Sequence, residues 1–234
     1  KPPFDMMSTW SPACASRTSG SELLPRVGED EQTPDVFPYN SGYFRLQAPM
    51  ELIRGLHNLR ARHRGCVATI GTFDGVHLGH QDIVRRLCGH ASRLGLPSTV
   101  VSFEPMPREY FDPVGAPPRL TRFRDKFGIL ASHGLERFLV LRFDARLQSM
   151  TGEEFVERLL RTELGARQLV VGHDFRFGAG ASATAGTLER SGAALGFEVE
   201  VVPPVTILGE RVSSTAVRAA LARGRVLLRE PVAA

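Results

Sequence analysis

The stretch CVATIGTFDGVHLGHQDIVRRLCGHASRLG, residues 66–95, sets a strand, a glycine turn and a helix in direct succession. The unbroken apolar run at 66–72 predicts a strand buried on both faces. Gly71, Gly75 and Gly79 then let the backbone turn tightly and approach a ligand closely. Ile83, Val84, Leu87 and Ala91 recur at helical spacing over 79–94, and Gly95 supplies the stop. A helix that begins where a strand ends presents unpaired N–H groups and a positive dipole end, a ready site for phosphate. His77 and His80 lie three apart around Gly79, so both imidazoles can point at one anion. Neutral, a histidine donates a hydrogen bond; protonated, it adds charge; either form stabilises negative charge growing on a phosphate. A metal pair is disfavoured, because no third ligand stands at a zinc-type spacing.

The same alternation extends outward. Strand-like runs fall at 98–103, 137–143, 168–172 and 197–203, and amphipathic helical runs at 121–133, 151–164 and 214–223. Thr151 and Glu154 have the spacing of a capping box. Strands alternating with helices predict an α/β fold, a Rossmann-like parallel sheet with helices on both faces and right-handed crossovers. Ligands in such sheets bind beyond the carboxyl ends of the strands.

Composition narrows the function. The 234 residues are 42% hydrophobic and 23% charged, as in ordinary globular proteins. No apolar run approaches the ~18 residues of a membrane span, and the first twenty residues lack the apolar centre of a secretory signal. Cys14, Cys66 and Cys88 share no redox or metal spacing, which predicts reduced thiols and a cytoplasmic setting. Net charge is +4, and Lys1 and Lys126 are the only lysines among 29 basic residues. No GxxxxGK[ST] occurs, which excludes a P-loop enzyme by that motif. No nucleic-acid recognition motif appears. Residues 1–49 carry seven of the 16 prolines and four basic against six acidic side chains. They read as a disordered or non-native leader, with the working domain at 50–224 and a truncated tail at 225–234.

Three further motifs follow predicted strands. SFEPMPREYF, 102–111, offers Phe103 and Phe111 as flat apolar surface for an aromatic ligand, and its prolines are expected to keep it extended and prevent a helix. VVGHDFRFGAG, 170–180, suits clasping a ring. RVSSTAVRAAL, 211–221, brings Ser213, Ser214 and Thr215 to a helix start, with Arg218 one turn later on the same face, a second phosphate cradle.

These four motifs, in this order, resemble those of the nucleotidyltransferase superfamily with the HxGH signature. GTFDGVHLGHQ resembles one branch of it, the FMN adenylyltransferase (FAD synthetase) module of the bacterial bifunctional riboflavin kinase/FAD synthetase, over roughly 50–224. The resemblance implies transfer of AMP from ATP to FMN, giving FAD and pyrophosphate, with Mg²⁺ on the triphosphate and no assigned protein ligand for it. It implies catalytic roles for His77, His80 and Arg218. It further implies ATP contacts from Gly71, Thr72, Phe73, Asp74, Gly79, Asp174, Phe175, Arg176, Ser213, Ser214 and Thr215, and flavin contacts from Phe103, Pro105 and Phe111. ASATAGT, 181–187, departs from the family's continuation at this point and is expected to be mobile. The family's riboflavin kinase domain has no counterpart before residue 234, so riboflavin phosphorylation is not expected of this chain. The partners implied are small molecules, without nucleic acid or membrane; the oligomeric state is left open. Two alternatives stand beside this reading. One is another HxGH enzyme, acting on phosphopantetheine or a sugar alcohol phosphate; the other is a nucleotide- or flavin-binding remnant without turnover.

Overall fold

A computed structural model describes residues 49–224. The expectations for the leader and for 225–234 lie outside the described residues, Pro49 apart.

The elements run β1 (Glu51–Arg54), β2 (Cys66–Ile70), α1 (Leu78–Leu94), β3 (Ser98–Glu104), α2 (Pro107–Phe111), α3 (Phe123–Ser132), β4 (Arg137–Arg142) and α4 (Ala145–Ser149). Next comes α5, which opens as the α-helical turn Gly152–Glu154 and continues as the π-helix Phe155–Glu163. β5 (Ala166–Gly172), β6 (Arg176–Phe177), β7 (Ala183–Thr184), α6 (Ala185–Leu195), β8 (Glu198–Val202), β9 (Thr206–Ile207), β10 (Glu210–Arg211) and α7 (Ser214–Ala222) follow.

Six strands form one sheet in the order β1-β4-β3-β2-β5-β8, and every pairing in it is parallel. From β2 the chain winds through β3 to β4, then returns to the other side of β2 for β5 and β8. The direction of winding therefore reverses between β2 and β5, which opens a crevice at their carboxyl ends. Both faces are covered. Cys66, Ala68 and Ile70 of β2 pack toward Phe155, Val156, Leu159 and Leu160 of α5 and Leu188 of α6. Val67 packs with Val84, Leu87 and Ala91 of α1 and Leu130 of α3. All five residues of β2 are buried, which explains its unbroken apolar sequence.

Local chemistry sets the ends of these helices. Gly95 closes α1 in the left-handed conformation, φ 63°. Thr151 and Glu154 form the reciprocal capping box that their spacing predicts.

Two expectations need correction. The prolines of 102–111 do not prevent a helix: Pro107 is the first residue of α2, where its fixed φ suits the start and its missing N–H has no role. ASATAGT is ordered rather than mobile. Ala183 and Thr184 pair with β6, Ala183 and Ala185 are buried, and the Thr184 hydroxyl caps α6 by accepting from the Thr187 N–H. The small residues are what this close packing requires. One strand lies outside the sequence-based assignments: Glu51–Arg54 pairs with β4 at the sheet edge, and its four residues are too few to show a period.

Candidate functional site

The crevice at β2 and β5 holds a cavity of about 460 Å³. It gathers the turn after β2, the loop after β5, and the segment from Arg211 into α7. Gly71, Thr72, Phe73, Asp74, His77, Gly79, His80, Asp174, Phe175, Ser213, Ser214, Thr215 and Arg218 all line it. The first and last of these motifs stand more than a hundred residues apart in the chain.

The turn between β2 and α1 is held in uncommon backbone. Phe73 and Val76 have φ of 50° and 37°, which costs energy for non-glycine residues and is tolerated where surroundings enforce it. Phe73 and Val76 are both about 2% exposed, wedged into the core. Gly75 has φ 83°, and a Cβ there would lie 2.8 Å from the Leu120 side chain, so glycine is required twice over. The missing Cβ of Gly79 has the His77 ring at 3.3 Å and the Val212 carbonyl at 3.9 Å. The start of α1 is thereby brought against the chain entering α7, and two helix N-termini share the cavity.

His77 is the N-cap of α1; its Nδ1 accepts from the His80 N–H at 3.4 Å. That leaves Nε2 to carry the proton of the neutral ring. The two imidazoles stack with centroids 3.7 Å apart and planes 18° from parallel. Burial lowers the pKa of His77, with the Arg211 charge adding to it. His80 is pushed down to about 3, by burial first, then by His77 and by Lys126. His80 is therefore neutral near pH 7 and acts as a hydrogen-bond donor rather than a cation. Its Nδ1 is buried without a partner, which favours the proton on Nε2, since an idle lone pair costs less than an idle N–H.

Asp74 stands at the hub. Its carboxylate accepts the Leu120 N–H at 2.9 Å and the Thr121 N–H at 3.1 Å and pairs with Arg218. Its carbonyl accepts the Ser214 hydroxyl at 2.8 Å. Arg218 also donates to the Pro118 carbonyl at 2.9 Å. Asp74 and Phe73 thus line the cavity as scaffold, with their side chains turned into the protein. Ser213 caps α7, its Oγ accepting the Ala216 N–H. Thr215 is exposed on the first turn of α7, with its N–H among those a helix leaves unpaired.

Beside the first cavity lies a second of about 230 Å³, lined by Phe103, Phe111, Phe143, Phe155, Phe175 and Phe177 among others. Ile70, Pro107 and Phe175 belong to both walls. Phe143 makes edge contacts to Phe103, Tyr110 and Phe111 at 5.2–5.9 Å between centroids. Arg176 lines this second cavity and not the first. Pro105 lines neither cavity; its peptide bond is cis and it joins β3 to α2.

Several residues escaped the sequence reading. Arg211 lines the cavity and pairs with Asp174 across its mouth. Partial burial works to raise the Asp174 pKa, but the Arg211 guanidinium holds it below the usual carboxylate range. Arg119 joins Glu104 and Glu109, pinning α2 to the end of β3. Lys126 is 1% exposed. Its signal was present, since Phe123, Lys126, Phe127 and Leu130 fall at the spacing of one helical face. Among the described residues no group of three or more His, Cys, Asp or Glu is placed to hold a metal ion, and no helix is long and apolar enough to cross a membrane.

The sheet order and the His77–His80 turn define a Rossmann-like fold of the HxGH nucleotidyltransferase type. The sequence pattern of FAD synthetase matches residues 59–216. The chain is 51% identical over 173 residues to the bifunctional riboflavin kinase/FMN adenylyltransferase of Pseudomonas fluorescens, spanning 74% of this chain and 55% of that protein. It is 44% identical over 182 residues to the protein of the same name from Escherichia coli strain K12, spanning 77% and 58%. A crystal structure of a macrolide-efflux protein from Streptococcus pneumoniae superposes with a TM-score of 0.68 at 26% identity, covering 76% of this chain and 59% of that one. The chain belongs to the FAD synthetase family. It spans a little over half the length of the curated relatives it matches.

Proposed function

We propose that this chain is an FMN adenylyltransferase, converting ATP and FMN to FAD and pyrophosphate. The observation that carries this is the junction of two unlike cavities. A polar one faces two helix N-termini and a stacked histidine pair, and it shares a wall with an aromatic one. A triphosphate suits the first and a flavin ring the second, which brings the FMN phosphate to the boundary beside the α-phosphate.

An FMN phosphate oxygen attacks the α-phosphorus in line. The bond to the α–β bridging oxygen breaks, and pyrophosphate leaves with the bonding pair. The attacking oxygen is already anionic, so no strong base is needed; positioning and charge stabilisation dominate. His77 and His80 donate N–H groups to the oxygens that gain charge. The unpaired N–H groups of α7, the Thr215 hydroxyl and Arg218 face the departing pyrophosphate. Asp174 takes donors of the nucleoside, and its pairing with Arg211 keeps its charge from the phosphates. The triphosphate would carry its Mg²⁺ as part of the substrate, held largely by phosphate oxygens and water. The working domain is 50–224, and free Cys66 and Cys88 accord with a reducing cytoplasm.

The ordered packing of 183–187 supports an enzyme over a remnant without turnover. The deciding experiment is pyrophosphate release by the purified chain with ATP and Mg²⁺, with and without FMN. FMN-dependent release with matching FAD formation is expected. ATP binding without release would establish the remnant, and release with phosphopantetheine or a sugar alcohol phosphate but not FMN would establish another transferase.

A further inference from the structure

Behind the wall of the first cavity lies a cation that the mechanism above does not use. Lys126 projects from α3, is 1% exposed, and donates to the Thr72 carbonyl at 2.7 Å. Thr72 lines the cavity, so one peptide group separates the ammonium from the ligand space. Three carboxylates lie near enough to influence it: Glu104, Asp74 and Glu109. Each is already committed, Glu104 and Glu109 to Arg119 and Asp74 to Arg218. Among the described residues Lys126 forms no ion pair, and the carbonyl is its one hydrogen-bond partner.

A buried ammonium with a neutral partner is an expensive arrangement. An apolar side chain of similar length in such a place is commonly neutral or stabilising. Local rules of this kind are broken at functional sites, where the cost is offset by a ligand. The missing counter-charge has an evident source, since a polyphosphate in the cavity would bring several negative charges to the far side of the same peptide group. The strained turn adds a second reason. Phe73 and Val76, one and four residues after Thr72, hold positive φ, and the bond from Lys126 fixes the peptide from which that turn departs.

We propose that Lys126 is a positioning residue of the nucleotide site: it anchors the Thr72 carbonyl and sets a fixed positive charge behind the phosphates, at the expense of the free chain's stability. This rests on the reading that ATP occupies the cavity. It predicts opposite effects on stability and on binding, which a merely structural lysine would not show.

The test compares the full chain with Lys126→Met, which removes charge and donor, and Lys126→Gln, which keeps a donor. Melting without ligand, ATP affinity in the presence of Mg²⁺ by calorimetry, and FMN-dependent turnover are measured on the same preparations. Both variants are expected to melt no lower than the parent. The Kd for ATP is expected to rise about tenfold in Lys126→Met and less in Lys126→Gln, with KM for ATP rising in step. A Kd change under threefold in Lys126→Met overturns the proposal. So does lowered melting or failure to fold in both variants, because a cation that stabilises the free chain needs no ligand to explain it. A parent that binds ATP but gives no FMN-dependent turnover overturns the proposed reaction while the affinity ratio still decides Lys126. A parent that binds no ATP overturns both.

Discussion

The two adjoining cavities are built by opposite means. The larger is made of main chain and charge: two helix starts, a turn with two non-glycine residues at positive φ, a histidine pair and the Asp74 hub. Asp74, Asp174, Arg211, Ser213, Ser214 and Arg218 there are already paired within the protein. The smaller is made of ring edges, and Phe111 stands 60% exposed at its rim. One end of the site is thus pre-organised at a cost, while the other leaves apolar surface for a ligand to cover. The contrast shows where specificity and rate would each reside. The flavin end would select, and the phosphate end would accelerate.

Substitutions can break this contrast. The largest effect is expected from His77→Ala combined with His80→Ala: a fall of about 10²–10⁴-fold in kcat with a smaller change in KM for FMN, read by steady-state pyrophosphate release. Next is Asp74→Ala, which strands Arg218, its side chain only 18% exposed, and the Leu120 and Thr121 N–H groups. A loss of about 3 kcal/mol is expected by urea denaturation.

The third concerns pH. A histidine in the unfolded chain protonates near pH 6.5, whereas folded His80 resists until about pH 3. Between these values the unfolded state binds more protons, so stability falls as pH falls through the window. From pH 7 to pH 5 the parent should lose roughly 2 kcal/mol more than His80→Gln does, by urea melts at the two pH values. The smallest effect sharpens the other side. Phe111→Ala should raise the KM for FMN about tenfold, leaving ATP affinity and melting temperature near the parent's.

How much of this was legible follows the same division. The glycine turn, the cap residues of α1 and α7 and the alternation of buried strands are short-range demands of the backbone, and they stand in the sequence in order. The hub does not. Asp74 meets Leu120 across 46 positions and Arg218 across 144, so its carboxylate reads as one more ligand contact until the fold brings those partners to it. Pro107 misled because a proline that bars a helix interior also favours a helix start. The alanines of 181–187 misled because smallness suits both mobility and close packing. Lys126 broke an apolar stripe, and the break was the signal.

The Asp74 hub also has a temporal meaning. A chain emerging from the ribosome can wind β2, the glycine turn and α1 early, from neighbouring residues. The carboxylate that locks the turn acquires its guanidinium only after residue 218 has been made. Until then the turn lacks its clasp, and the nascent sheet would hold nucleotide poorly even where its strands are paired. Amide exchange should reveal the same dependence in the finished protein. The Leu120 and Thr121 amides should open together with the first turn of α7, as one cooperative unit drawn from three distant parts of the chain.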